Sequence, residues 1–345
     1  MPELDARKQI ILRALVFEYV RAAEPVGSEL IVQNHDLGVR SATVRNELAE
    51  MAELGYLEQP HTSAGRIPSD RGFRYYVDRL VIEIEPDEAT RQQVKEKAGE
   101  GEVLQDLLRD TTALLSRLTK MLAAATIVKD QNVVIRNALV SAIGPNQALL
   151  VMVLSNGTVE NRLIECPTGL SLEDVGRTNE MLAQAVNGKT LRMAMRLKTP
   201  AVAASDGQNK FMASVWTAIR AVSKERTRGT VVTEGEEFMV AQPEFQRDVR
   251  LLSEVLDSLG DDNILYDALQ LPVEQGKSIT IGLENRPDAL MPLSIIRRSF
   301  YVGENEAGVI AVIGPKRMPY DTSIPLVSFT AQALSEALTK FLGST

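Results

Sequence analysis

Within residues 28–68 two short helical stretches, a glycine turn between them and a turn-rich hairpin follow one another, and few folds accommodate that order. A longer helix precedes them, since Ile10, Ala14, Phe17 and Val20 recur at helical spacing while Ile11 and Leu15 widen the apolar face. Pro25 ends that helix, because the residue before a proline is disfavoured in helical geometry. Ser28 then reads as the N-cap of a helix from Glu29 to about Asn34, and Asp36-Leu37-Gly38 as a turn. Ser41 reads as the N-cap of a third helix, from Ala42 to about Leu54, closed by Gly55. Two short helices joined through a glycine turn on a supporting helix form the helix-turn-helix pattern.

In the third helix Val44, Leu48 and Met51 make the buried stripe, which turns Ala42, Thr43 and Asn46 outward and leaves Arg45 on the flank. Arg40 and Ser41 stand at the entrance of the same helix. Asn pairs bidentately with adenine and Arg with guanine in the major groove, so Arg40, Ser41, Thr43, Arg45 and Asn46 are candidate DNA contacts. An ordinary polar helix face, with Arg45 paired to a nearby Glu, is the competing reading. Tyr56–Pro60 and Arg66-Ile67-Pro68 read as two short strands around a tip of His61, Thr62, Ser63, Ala64 and Gly65. A hairpin directly after a recognition helix is the wing of a winged helix, which adds His61, Thr62, Ser63, Gly65 and Arg66 to the candidates. Arg66 suits a phosphate or the minor groove, against a solvated turn arginine. Ser69 reads as the cap of a fourth helix through about Leu80, in which Phe73, Tyr75 and Tyr76 are core rather than a base-stacking platform.

Charge and composition narrow the function classes. Cys166 is the sole cysteine and His35 and His61 the sole histidines, so a thiolate or histidine metal site and a Ser-His-Asp triad lack raw material. No enzyme, cofactor or metal is expected. Neither a signal peptide nor a run of about 18 apolar residues is present, which fits a cytoplasmic protein without a membrane partner. The net charge is −8, and residues 1–80 carry ten Lys and Arg against twelve Asp and Glu, a net −2. A head of that charge needs its cations placed locally and its affinity raised by symmetry, hence a homodimer on double-stranded DNA.

Beyond the head, the acidic stretch Ile82–Asp87 with Pro86 reads as a linker, and Gly99-Glu100-Gly101 interrupts the polar helix after it. Leu104, Leu108, Thr111, Leu115, Leu118 and Leu122 repeat like a short heptad, equally suited to a core or a subunit contact. Residues 133–165 read as a three-stranded meander with a hairpin at Asn156-Gly157. Residues 168–270 read as mainly helical, with Phe245, Val249, Leu252, Leu256 and Leu259 the clearest stripe. Strands resume at Ser278–Glu284, Leu293–Val302 and Gly308–Ile313, before a final helix from about Leu326 to Phe341. Strands, helices and strands again point to an α+β domain carrying an insertion.

Three runs carry a family resemblance: Ser41–Leu48 with Gly55-Tyr56-Leu57, the wing Pro60–Pro68, and Gly72–Asp78 together with Ile313-Gly314-Pro315-Lys316-Arg317-Met318-Pro319-Tyr320. They resemble the heat-inducible transcription repressor family HrcA. The resemblance implies a multidomain α+β chain: an N-terminal winged helix-turn-helix domain, then a GAF-like domain interrupted by an inserted dimerising domain. The expected boundaries are 1–82 for the winged helix and 83–101 for a linker and polar helix. The GAF-like domain takes 102–167 and 271–345, and the dimerising insert 168–270. It further implies repression of chaperone operons through an inverted-repeat operator, with activity maintained by the GroE chaperonin. A ligand-sensing transcription factor with a GAF-like pocket is the alternative. One departure stands out, since Glu50 and Glu53 continue the outward face of the recognition helix and oppose phosphates beyond its first two turns.

Overall fold

The computed structural model describes residues 3–61, 64–99, 104–129, 132–167, 169–200, 205–274 and 276–343. They form two compact units, one of residues 1–126 and 230–345 and one of residues 127–229.

The first unit opens with α1 (Ala6–Ala22), α2 (Ser28–Asn34) and α3 (Ser41–Glu53), followed by a two-stranded antiparallel ribbon of β1 (Leu57–Glu58) and β2 (Ile67–Pro68). Asp5 caps α1 by accepting from the Lys8 N–H, and Ala23 closes it in left-handed geometry. Gly27 and Arg40, rather than Ser28 and Ser41, occupy the N-cap positions of α2 and α3, and neither helix has a side-chain cap. The serines are one residue inside, where the first turn begins. α4 (Asp70–Tyr75), capped by Ser69 as expected, passes into a π-helical turn over Tyr76–Leu80 instead of continuing as an α-helix. Residues 81–87 are neither helix nor strand. α5 (Glu88–Gly99) and α6 (Leu104–Thr119) lead to β3 (Leu122–Ile127). Lys120, at φ 56°, makes the turn between α6 and β3, so the heptad-like stripe stops there. Leu108, Thr111 and Leu115 are buried inside this unit, which favours the core reading.

The second unit contains the meander β4 (Ile135–Gly144), β5 (Gln147–Leu154) and β6 (Val159–Glu165), then α7 (Leu172–Ala185), α8 (Leu191–Met195) and α9 (Asp206–Thr227). Period-two alternation sends Ala138, Val140, Leu150, Met152 and Ile164 to one face, where Val175 and Leu182 of α7 and Phe211, Val215, Trp216 and Ile219 of α9 cover them. The meander therefore belongs with these helices. The expected split at residues 167 and 270 does not coincide with the compact units, which divide near residues 126 and 230.

The chain returns to the first unit through β7 (Val231–Glu234) and four helices: α10 (Glu236–Val240), α11 (Pro243–Arg247), α12 (Val249–Gly260) and α13 (Asp262–Glu274). β8 (Ile279–Ile281), β9 (Leu293–Val302), β10 (Asn305–Pro315) and α14 (Tyr320–Gly343) complete it. The single stripe expected from Phe245 to Leu259 is broken at Asp248, whose side chain caps α12 and leaves Val249 exposed. A five-stranded sheet in the order β7-β3-β10-β9-β8 forms the centre. Leu122, Ala124, Leu293, Ile295, Ala311 and Ile313 point to one face, under Phe245, Val255, Leu265 and Leu269. α14 packs on β9 and β10. It begins six residues before the expected Leu326 and contains Pro325, whose missing N–H leaves the Asp321 carbonyl free to accept the Ile84 N–H at 2.7 Å. Arg297 of β9 is fully buried, donates to Thr280 at 2.7 Å, and its guanidinium is pushed down to about 9 by burial.

Candidate nucleic-acid interface

The exposed end of α3 is held from behind by three buried apolar residues, Val44, Leu48 and Met51, as the spacing required. That rotation leaves Ala42, Arg45 and Asn46 exposed, with Ser41 and Thr43 half-buried beside them and Arg40 exposed at the cap. The Arg40 carbonyl receives the Thr43 and Val44 N–H groups at 2.9 and 3.2 Å. No hydrogen bond or ion pair engages the Arg45 or Asn46 side chain among the described residues. Both keep their full hydrogen-bonding capacity for an external partner.

Farther along α3 the acids are compensated from α1. Lys8 Nζ lies 2.8 Å from Glu47 and 3.0 Å from Glu50. Glu47, then Asp5 and Glu50, hold the Lys8 ammonium well above its ordinary range. Sequence reasoning missed the role of Lys8, because Glu47 and Glu50 lie about 40 residues away and no local pattern announces them. It also missed Arg71, which lies 4.4 Å over the Tyr56 ring and donates to the Leu54 carbonyl at 2.8 Å. Arg71 thus ties the end of α3 to α4.

The ribbon beside α3 is fixed by close backbone contact. Val26 and Arg66 exchange two backbone hydrogen bonds, of 2.9 and 2.8 Å. A Cβ on Gly65 would lie 2.4 Å from the Val26 carbonyl carbon and oxygen, so only glycine fits there. At the tip, His61 is exposed and its carbonyl accepts from Ala64 at 2.9 Å. The Arg66 side chain is half-buried, and its Nε is buried without a partner among the described residues. Thr62 and Ser63 lie outside the described residues. Phe73 and Tyr75 are buried, with Phe73 6.2 Å from the Tyr19 ring and Tyr75 5.4 Å from Tyr56. They are core, as read from their spacing.

A model of the HrcA protein C-terminal domain matches residues 105–324. The heat-inducible transcription repressor HrcA of Moorella thermoacetica (strain ATCC 39073 / JCM 9320) is 33% identical over 341 residues, covering 97% of this chain and 98% of that protein. The chain belongs to the HrcA family. Its counterpart from Symbiobacterium thermophilum (strain DSM 24528 / JCM 14929 / IAM 14863 / T) is 34% identical over 341 residues, covering 96% and 98% of the two chains. The fold is also similar to the crystal structure of a hypothetical protein, with a TM-score of 0.60 at 20% identity, covering 98% of this chain and all of that one. The family is one of heat-inducible transcription repressors rather than of enzymes. Among the described residues no helix is long and apolar enough to cross a membrane, and no group of His, Cys, Asp and Glu is arranged to hold a metal.

Proposed function

We propose that this chain represses heat-shock operons by binding an inverted-repeat operator as a dimer, with α1 to α4 and the ribbon acting as a winged helix-turn-helix. In this reading α3 enters the major groove by its first two turns, where Asn46 and Arg45 read base edges. Thr43, Ser41 and Arg40 contact phosphates or a thymine methyl at the groove edge, and Arg66, Gly65 and the His61–Ser63 tip lie along the adjacent backbone or minor groove. The carrying observation is the contrast along α3: unengaged Arg45 and Asn46 at its start, and Glu47 and Glu50 sharing the Lys8 ammonium behind them. That arrangement offsets part of the charge of Glu50 on the acidic outward face and leaves Glu53 exposed farther along the helix. Footprinting the purified chain on the chaperone-operon promoters of its own organism tests it. Protection of an inverted repeat at two half-sites supports the reading, and uniform non-specific coverage overturns it.

The five-stranded sheet with α14 on one face and α10–α13 on the other is the GAF-like part of the proposal, and the unit of residues 127–229 is the dimerising insert. Its meander supports that role, because the face turned away from α7 and α9 is apolar. Leu139, Ile143, Val159 and Leu163 are exposed there, and Leu149, Val151 and Val153 are half-buried. The register places Leu139 opposite Val151, Leu149 opposite Leu163 and Val153 opposite Val159, so the patch is continuous across the three strands. A two-fold contact through this face brings two weakly charged heads onto one palindrome.

The GroE chaperonin completes the proposal by setting the fraction of repressor that is folded. A chain with many non-local contacts exposes apolar surface while folding, and folded and unfolded states differ by only a few kcal/mol in ordinary proteins. Heat-damaged clients that occupy the chaperonin then release the operon. Heat-inactivated protein should regain operator binding with chaperonin and ATP, and regain less when an unfolded competitor is added. Full recovery without chaperonin would remove this mechanism while leaving DNA binding intact.

A further inference from the structure

The segment Gly314–Tyr320 carries part of the family resemblance yet lies far in sequence from the DNA-facing helix. We propose that Lys316, Arg317 and Arg247 are positioning residues that dictate the spacing between operator half-sites, by locking the reading head onto the domain built around the five-stranded sheet. The inference rests on the operator reading above.

The covalent connection alone would not hold the head. Residues 81–87 form neither helix nor strand, and seven such residues reach roughly 23 Å when extended. A free tether of that length lets a head sample many positions. Instead, the sheet domain completes the end of α1 and both ends of α4. α1 ends in carbonyls that have no partner inside the helix. Arg317 donates to the Val20 carbonyl at 3.2 Å, and Arg247 donates to the Ala23 carbonyl at 3.3 Å and pairs with Glu24. Two cations at the negative end of a helix dipole add a favourable charge interaction. Arg317 is itself held rigid, donating to Glu244 at 2.5 and 3.1 Å and to Gln242 at 2.9 Å.

A second attachment lies at the start of α4. Asp70 receives Lys316 Nζ at 2.5 Å and the Leu283 N–H at 2.8 Å. The approach is so close that a Cβ on Gly282 would fall 1.8 Å from the Asp70 carboxylate. A third lies at the end of α4, where Arg74 pairs with Glu284 and donates to the Ile279 carbonyl at 3.1 Å. The Ile84 N–H, held by the Asp321 carbonyl that Pro325 frees, fastens the connecting segment as well. One exposed ion pair contributes little. Contacts at both ends of α4 and at the end of α1 instead remove the rotations that a single pair would leave.

A rigid head has a consequence for DNA. Each base pair inserted between half-sites moves them apart by about 3.4 Å and rotates one against the other by about 35°. Where the dimer contact also holds each subunit in place, clamped heads follow neither change, whereas tethered heads follow both. The full-length chain is assayed on the footprinted operator and on versions with the spacer changed by one, two or three base pairs. The wild type should lose about tenfold or more in affinity per base pair changed. The triple variant K316M/R317Q/R247Q should give a flat profile, within roughly threefold across spacers, with weaker binding at the native spacing because effective concentration falls. K316R should retain the wild-type profile. A profile for the triple variant that parallels the wild type would overturn the proposal.

Limited proteolysis of the DNA-free chain supplies the independent arm, since Glu83 and Glu85 lie in the connecting segment. Glu-specific cleavage there should accelerate about tenfold or more in the triple variant, and in the single variant K316M to a smaller degree. Equal cleavage in the three chains would overturn the clamp. A wild-type chain that binds no inverted repeat would instead overturn the operator reading, and with it the spacing role. The two failures are seen in different assays.

Discussion

Lys8 lies outside the proposed base-reading set, yet by pairing with Glu47 and Glu50 it alters how the outward side of α3 looks to a phosphate. With Lys8 present, the charge of Glu47 and Glu50 is partly offset within about one helical turn of Asn46. K8M should therefore weaken binding to every sequence about equally, by roughly two- to fivefold, in a competition assay at fixed salt. N46A should behave differently. In the proposed reading it removes a base contact, so it should cost about 1–3 kcal/mol on the operator and relax preference at one position per half-site. If the two variants give the same uniform loss, Asn46 reads no base. Arg297 supports a prediction of the opposite sign. Among the described residues its Nε and Nη1 find no acceptor, and a buried, under-paired guanidinium is costly. R297M keeps the volume and removes the charge, so it should leave stability unchanged or raise it by about 1–4 kcal/mol in urea unfolding.

At the scale of elements, the ribbon depends on one backbone approach. G65A places a methyl group against the Val26 carbonyl and should cost about 1–3 kcal/mol in thermal unfolding. In the proposed reading operator binding should fall with it, because the displaced ribbon carries Arg66. An unchanged melting temperature would mean that the ribbon does not press on Val26. The three helices, the glycine turn and the ribbon were legible because their signals are local: an apolar stripe at 44, 48 and 51, a proline at 25, a hairpin tip rich in turn residues. The caps at Gly27 and Arg40 were not, since a serine at the first helical position and one at the cap look alike in sequence. Nor was the company the meander keeps. Val140 and Met152 say that one face is buried, but not whether Phe211 or Phe245 covers it. The same limit hid the pairing of Lys8 with Glu47 and Glu50 and the partners of Arg247 and Lys316, which are dictated by tertiary packing rather than by spacing.

For the whole molecule, the open face of the meander makes a prediction about assembly. L139E/L163E places two carboxylates in the middle of an apolar patch, so it should convert the proposed dimer into a monomer by sedimentation, with a loss of about tenfold or more in affinity for the proposed operator. A variant that stays dimeric would move the interface elsewhere. The division of the chain has a separate consequence, for synthesis. β3 leaves the ribosome early, whereas its sheet neighbour β10 follows about 180 residues later, after the entire unit of residues 127–229. At about 5–20 residues per second that wait lasts roughly 10–40 s, during which Leu122 and Ala124 have no strand β10 to rest against. Every newly made copy thus passes through an interval in which one edge of its central sheet is apolar and unclosed, at a length fixed by the insertion and independent of temperature-induced damage. Slower translation lengthens that interval, so the supply of active repressor is tied to the pace of the ribosome as well as to the folding of finished chains.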